Sequence, residues 1–290
     1  MVAQLFVSGL VLGCMYGLIG LGYSLIFKAS GVMNLSQGDM LTLGAFLGYT
    51  FYGIMKLPFV ISLILTVAIM FAFGFFLQKG IISSILARGV GVTSVMLATF
   101  AISYIIQNGA RLIWGAVTLQ FPSILPVSTV TLFGKSYQAE ALLCVVVSVV
   151  AMLCIHLFLS KTKFGTAMRA ASSDALAARS LGIDVALASG VTWGLSCGVA
   201  ALGGMLVGPL YGVYTTLGGT ISSKAFSGSV MGGMGNMYGA ILGGVILGLI
   251  ETFVSGYISS DLKDLVAYAI LLIFLFIKPR GLLNSDAVDA

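Results

Sequence analysis

The residues able to do chemistry in this sequence are few, and all have apolar surroundings. Asn34, Ser36, Gln37 and Asp39 fall together in GVMNLSQGDMLTLGAF, Asn236 lies in a glycine-rich run, and Glu251 stands within a long apolar stretch. Polar groups at such positions are costly in hydrocarbon and mark routes for solutes or ions. The chemistry they suit is hydrogen bonding and charge pairing with a passing polar solute, not bond making. Each also has a plainer reading. Ser36-x-x-Asp39 is a capping pattern that can start a half helix inside the protein, and an acid at that place suits a helix N-terminus. Glu251, near one end of its span, can simply reach interfacial water.

The remaining reactive types point away from catalysis. Cys14, Cys144, Cys154 and Cys197 lie in separate apolar runs without CxxC spacing or histidine neighbours, so they read as small core residues and not as metal ligands. His156, the single histidine, lies near the end of an apolar span and reads as structural. No GxxxxGK[ST] phosphate loop occurs, so the chain is expected to bind no nucleotide and to need no cofactor of its own.

The elements that must position these groups are membrane helices. Of 290 residues 59% are hydrophobic and only 8% charged, against roughly 25% charged in soluble domains. The sequence therefore describes an integral, all-α polytopic membrane protein, one unit over residues 1–290. Its 38 glycines are nearly twice the usual ~7% and imply tightly packed, interrupted helices. The net charge of +5 calls for no nucleic acid, because the basic residues collect at the ends of apolar spans.

Along the chain, Leu5 to Phe27 is long enough to cross a bilayer. No basic residue precedes it, so it is expected to be a retained helix and not a signal peptide. Gly9, Gly13 and Gly17 give it a smooth face. Further spans are read at Asp39–Tyr52, Leu57–Leu77, Val92–Gln107, Ala141–Leu159, Val185–Gly208, Gly239–Tyr257 and Leu265–Ile277. Gln78–Gly91 reads as a polar connection. Asn108–Glu140 reads as an external loop with a short extended piece where polar and apolar residues alternate from Pro126 to Phe133.

Pro209–Tyr238 is too polar for an ordinary span and too apolar for a loop, so a broken helix is expected there, facing protein or a watery cavity. That gives about eight or nine transmembrane segments. With nine crossings and the amino terminus outside, nine basic residues fall inside (Lys28, Lys79, Arg88, Lys161, Lys163, Arg169, Arg179, Lys278, Arg280) and five outside (Lys56, Arg111, Lys135, Lys224, Lys263), the bias that topology favours.

Two of these segments share a design. Gly31–Phe46 and Ser222–Gly248 are both interrupted by glycine and polar residues, and in the second Gly228, Gly232, Asn236, Ala240, Gly244 and Gly248 recur every fourth position, a face on which backbones can touch. Paired interrupted segments in the two halves of a chain point to a translocation pathway near the midplane. Asn34, Ser36, Gln37, Asp39, Asn236 and Glu251 are accordingly the candidate pathway residues.

One polar stretch breaks the apolar pattern, SKTKFGTAMRAASSDALAARSLGID over 160–184. It reads as two short helices. Phe164, Ala167, Met168 and Ala171 form an apolar stripe, Ser172, Ser173 and Asp174 offer caps, and Gly182 can end the second helix. Arg169 and Arg179 are each five residues from Asp174, a spacing that leaves both guanidinium groups to a partner. The plainer reading is a cytosolic loop made basic by topology alone.

The motifs GVMNLSQGDMLTLGAF, TKFGTAMRAASSDALAARSLGID, KAFSGSVMGGMGNMYGAILGGVILGLIE and KPRGL, in this order, resemble the permease subunits of ABC importers for branched-chain amino acids. The resemblance implies that 160–184 is the cytoplasmic coupling loop, with Phe164, Gly165, Arg169, Asp174, Ala177, Ala178 and Gly182 as its coupling residues. Ala177, Ala178 and Gly182 match the loop signature, while Leu176 stands at its acidic position, which leaves a packing role and removes that charge. It further implies a second related permease, two cytoplasmic ATP-binding subunits that hold ATP and Mg, an extracytoplasmic solute-binding protein, and a bacterial inner membrane. The transport reading is alternating access. A permease for urea or short amides, an ion-coupled secondary transporter using Asp39 or Glu251, and a structural scaffold are the competing readings.

Overall fold

The structure, a computed structural model, describes residues 2–89, 91–126, 129–132 and 135–283. Six of its helices are long and apolar enough to cross a membrane. They are α1 (Val2–Ser30), α3 with its continuation (Phe59–Ala87), α5 (Val92–Trp114), α6 (Ala139–Lys161), α9 (Val185–Tyr211) and α11 (Met237–Tyr257). Three shorter helices pack among them: α2 (Gln37–Gly48), continued by a π-helical turn to Ile54, α10 (Leu217–Gly232) and α12 (Lys263–Ile277). The chain is thus an all-α polytopic protein.

The helices divide into a central group and an outer group. The best membrane windows of α1 and α9 are 67% and 61% buried, whereas that of α6 is 17% buried. Residues such as Val146, Val150 and Leu153 on α6 and Val60, Ile64 and Phe76 on the α3 rod are exposed. In water this would be a liability; against lipid tails it is the natural outer surface.

Glycine fixes the centre. A methyl group at Gly13 of α1 would lie 2.7 Å from Val245 Cα of α11, and one at Gly9 would lie 2.9 Å from Leu249 Cδ2, so these two helices touch backbone to backbone. The fourfold spacing from Gly228 to Gly248 serves two helices and not one face of one segment. The chain folds back at Gly233–Asn236, setting Gly228 against Gly244 and Gly232 against Gly239, while Gly244 and Gly248 also meet Gly17 and Gly13 of α1. α11 is therefore gripped by glycine contacts on both sides.

Several boundaries differ from the sequence reading. Gln78–Gly91 is not a polar connection: the helix runs on to Ala87 (α4, Ser83–Ala87) through a π-helical turn at Gln78–Ile82. Gln78 is buried at this turn and donates from Nε2 to Ser189 Oγ of α9 at 3.0 Å. α5 extends to Trp114, since Asn108 donates to the Tyr104 carbonyl and Trp114 Nε1 reaches Thr50 Oγ1 at 2.8 Å. The extended piece is present as two antiparallel strands, β1 (Thr129–Leu132) and β2 (Lys135–Gln138), with Thr129 opposite Gln138. Residues 127, 128, 133 and 134 of that stretch, and 284–290 at the end of the 1–290 unit, lie outside the described residues. Pro209 does not open the broken segment but sits inside the last turns of α9. Cys154 is exposed on α6, unlike the buried Cys14, Cys144 and Cys197, so it is no core residue.

The polar stretch 160–184 folds as two short helices, α7 (Lys163–Ser173) and α8 (Ala175–Ser180). Thr162 caps α7 by accepting from Gly165 N at 2.9 Å, and Asp174 caps α8 by accepting from Leu176 N and Ala177 N, both at 2.9 Å. Gly182, at φ +80°, turns the chain out of α8, a left-handed conformation that favours glycine. Asp184 then caps α9.

Candidate functional site: a polar knot between two interrupted helices

α2 begins inside the protein because the chain leaves α1 at Gly31 (φ +65°) and turns back over Val32–Ser36. The turn is held by Asn34, whose Oδ1 accepts from Ser36 N at 3.1 Å and Ser36 Oγ at 2.7 Å. Ser36 therefore precedes the first residue of α2 without capping it by its side chain. Asn34 Nδ2 donates to Gln37 Oε1 at 3.2 Å, and Gln37 Nε2 donates to the Ser196 carbonyl of α9 at 3.3 Å. Ser196 Oγ lies 3.1 Å from Gln37 Oε1 and 2.8 Å from the Gly22 carbonyl of α1. Gly22 leaves the space that the Gln37 amide fills.

Asp39 points the other way, towards α5. Its Oδ1 accepts from Gln107 Nε2 at 2.9 Å and its Oδ2 accepts from Ser103 Oγ. Thr99 of α5 accepts from Leu35 N at 3.1 Å. Thr99, Ser103 and Gln107 are spaced by four and form one polar stripe, which Arg111 extends by donating from Nε to Thr215 Oγ1 at 3.4 Å. Sequence reasoning passed over this stripe; its signal was the fourfold recurrence of polar residues in an otherwise apolar span.

The first turns of the two interrupted helices meet. Gly38 of α2 and Gly218 of α10 approach so closely that neither has room for a side chain, and Gly218 N donates to Thr42 Oγ1 at 2.9 Å. Tyr23 of α1 and Ser222 of α10 share a hydrogen bond of 2.5 Å beside them. Asn34, Ser36, Gln37 and Asp39 are at most 5% exposed, and every one has partners. They form a closed, neutral-partnered knot at the crossing of α1, α2, α5, α9 and α10.

Asn236 and Glu251 are elsewhere. Asn236 caps α11 by accepting from Tyr238 N and Gly239 N, and it edges a cavity of about 200 Å³ also lined by Lys28, His156, Met168 and Arg169. His156 Nδ1 and Tyr238 Oη are 2.7 Å apart on its wall. Glu251 is 3% exposed, accepts from Tyr16 Oη at 2.8 Å and pairs with Lys224 Nζ at 2.5 Å, which does not fit the plainer reading of a side chain in interfacial water. Lys224 also pairs with Asp264 of α12 at 2.8 Å. Lys224, assigned by the sequence to the outer side, is thus buried. Placed at mid-α10 it turns inward to α11 and α12, and its charge is held by two carboxylates.

In the α7–α8 hairpin, Gly165, Met168 and Ala178 face inward and are buried, with Gly165 resting on the Phe158 and Leu159 carbonyls. Phe164 is half-buried, and Arg169, Asp174, Ala177, Arg179 and Gly182 are exposed. Leu176 in the first turn of α8 and Leu181 just after its last are 77% and 79% exposed.

Fold and site together define a multi-pass membrane protein built around interrupted, glycine-packed helices. The family described as branched-chain amino acid transport system / permease component matches residues 5–275. The chain belongs to that family. It is 27% identical to the high-affinity branched-chain amino acid transport system permease protein LivH of Salmonella typhimurium, covering 99% of this chain and 96% of that one. The similarity to the corresponding protein BraD of Pseudomonas aeruginosa is 29%, covering 99% and 97%. A probable LivH of Methanocaldococcus jannaschii is 27% identical over 93% of this chain and 88% of its own length. Among solved structures, PsaBC from Streptococcus pneumoniae in complex with Fab has the same fold at TM-score 0.50 and 17% identity, covering 97% of each chain.

Proposed function

We propose that this chain is the membrane-spanning permease of an ATP-driven importer that carries branched-chain or other hydrophobic amino acids into the cytoplasm by alternating access. It sits in a bacterial inner membrane as one permease unit of eight or nine segments, with α2, α10 and α12 counted alongside the six long spans. It pairs with a second related permease. An extracytoplasmic solute-binding protein delivers the amino acid, and two cytoplasmic ATP-binding subunits hold ATP and Mg and supply the work.

The observation that carries this reading is the α7–α8 hairpin. Its inner side is packed onto the helices, while Leu176 and Leu181 at the two ends of α8 are exposed, as are Arg169 and Arg179. Exposed apolar side chains ringed by charge mark a docking surface. An ATP-binding subunit gripping α8 moves α6 and α9, to which the hairpin is joined at either end. The pull reaches the knot through α9, because Ser196 holds both Gln37 and Gly22. Separating those partners opens a polar route between α2 and α10. Asn34, Ser36, Gln37 and Asp39 then exchange their internal hydrogen bonds for bonds to the solute.

The test is uptake by the assembled transporter in proteoliposomes. Arg169→Glu or Gly182→Val is expected to abolish ATP-dependent leucine uptake while the protein remains in the membrane. Unchanged uptake in both variants contradicts coupling through the hairpin.

A further inference from the structure

A second polar site lies apart from the knot, where α1, α10, α11 and α12 meet. Lys224 stands at its centre, 2.5 Å from Glu251 and 2.8 Å from Asp264, and Tyr16 Oη donates to the second oxygen of Glu251. Two carboxylates share one ammonium, so the trio carries a net negative charge. Lys224 and Glu251 are 9% and 3% exposed, whereas the Asp264 side chain is 54% exposed. A charged group in a membrane-spanning helix is retained at considerable cost and points to function.

The trio also faces open space. A cavity of about 350 Å³ has in its lining the charged Lys224, Glu251, Lys263 and Asp264 together with the apolar Leu12, Met15, Leu217 and Ile221. That volume is at the low end for ligand sites, and suits one small solute. Charges of both signs beside an apolar wall match a zwitterion with an apolar tail.

We infer that this cavity binds the zwitterionic head of an α-amino acid, its ammonium taken by Glu251 and Asp264, its carboxylate by Lys224 and Lys263, and its apolar side chain by Leu12, Met15, Leu217 and Ile221. Binding exchanges ion pairs within the protein for ion pairs to the ligand, so net charge in the site is preserved as α10 is released from α12. The site thereby links occupancy to the position of an interrupted helix. The inference rests on the permease reading for its substrate class, but not on coupling to ATP.

The test uses the full chain in lipid nanodiscs with leucine, leucinamide (no carboxylate) and 4-methylpentanoate (no ammonium) as probes, read by calorimetry. Leucine is expected to bind, and both analogues to bind more weakly by about tenfold or more, as loss of a buried charge contact implies. Asp264→Asn, at a half-exposed position, is expected to keep the fold and weaken leucine to a similar degree. The double variant Lys224→Met with Glu251→Met removes both buried charges together, keeps the thermal midpoint and loses leucine binding. Absence of leucine binding, or equal affinity in wild type and both variants, overturns the site. Leucine binding of the expected pattern alongside absent ATP-dependent uptake in the assembled system overturns the importer reading and leaves the site standing.

Discussion

The two interrupted helices solve the same problem differently. α2 begins inside the protein and is held by amides, hydroxyls and one carboxylate that find partners on α5 and α9. α10 also begins inside, touching α2 at Gly38 and Gly218, but is held along its length by Lys224, paired to α11 and α12. In the first region buried amide, hydroxyl and carboxylate groups are paired with one another. In the second, charges on long side chains stand beside a cavity of about 350 Å³. On the proposed reading the two regions have different tasks: the knot stays closed until α2 and α9 part, and the ion trio is a place where an occupant competes with internal partners.

The largest effect that separates them comes from breaking the trio on one side. Lys224→Met leaves Glu251 buried without its cation and is expected to lower stability by about 3–5 kcal/mol, whereas the paired Lys224→Met, Glu251→Met change is near neutral or stabilising. Thermal unfolding in detergent checks this, and equal midpoints for the single and double variants would break the comparison. In the knot, Asn34→Leu or Gln37→Leu strands one or two buried polar partners at about 1–3 kcal/mol each. These variants are expected to assemble and reach the membrane yet take up leucine more slowly. Wild-type rates in both remove the knot from the pathway.

The hairpin sharpens the comparison from outside. Gly182→Val forces a β-branched residue to φ +80° and costs roughly 1–3 kcal/mol locally, so uptake should fall while the midpoint of the helical core barely moves. A drop in that midpoint as large as the one in Lys224→Met shows instead that the hairpin is part of the core. The smallest effect is expected at Cys154, exposed on α6: Cys154→Ala should change stability by no more than about 0.5 kcal/mol. A clear loss of uptake there identifies the α6 face as a contact with another subunit.

Much of the fold was legible because its signals are local. Hydrophobic length marked α1, α6, α9 and α11, fourfold glycine marked the close-packing faces of α1 and α11, and cap residues marked α7 and α8. The shared design of Gly31–Phe46 and Ser222–Gly248 was legible, whereas their contact at Gly38, Gly218 and Ser222 was not. Three other features were not, each because it depends on partners far away in sequence. Gln78 reads as a loop residue until its Nε2 is seen to reach Ser189 on α9. Lys224 reads as an exposed charge until Glu251 and Asp264 are placed around it. Thr99, Ser103 and Gln107 acquire meaning only once α5 is laid against the turn before α2. The family match over residues 5–275 gives these contacts a transport setting.

The measurement that bears most directly on the central claim places a photo-crosslinking side chain at Leu176 or Leu181, in the transporter purified from its own membrane. The account predicts an adduct with a nucleotide-hydrolysing subunit whose yield changes when ATP is added. An adduct with lipid alone, or none at either position while the transporter is active, contradicts it.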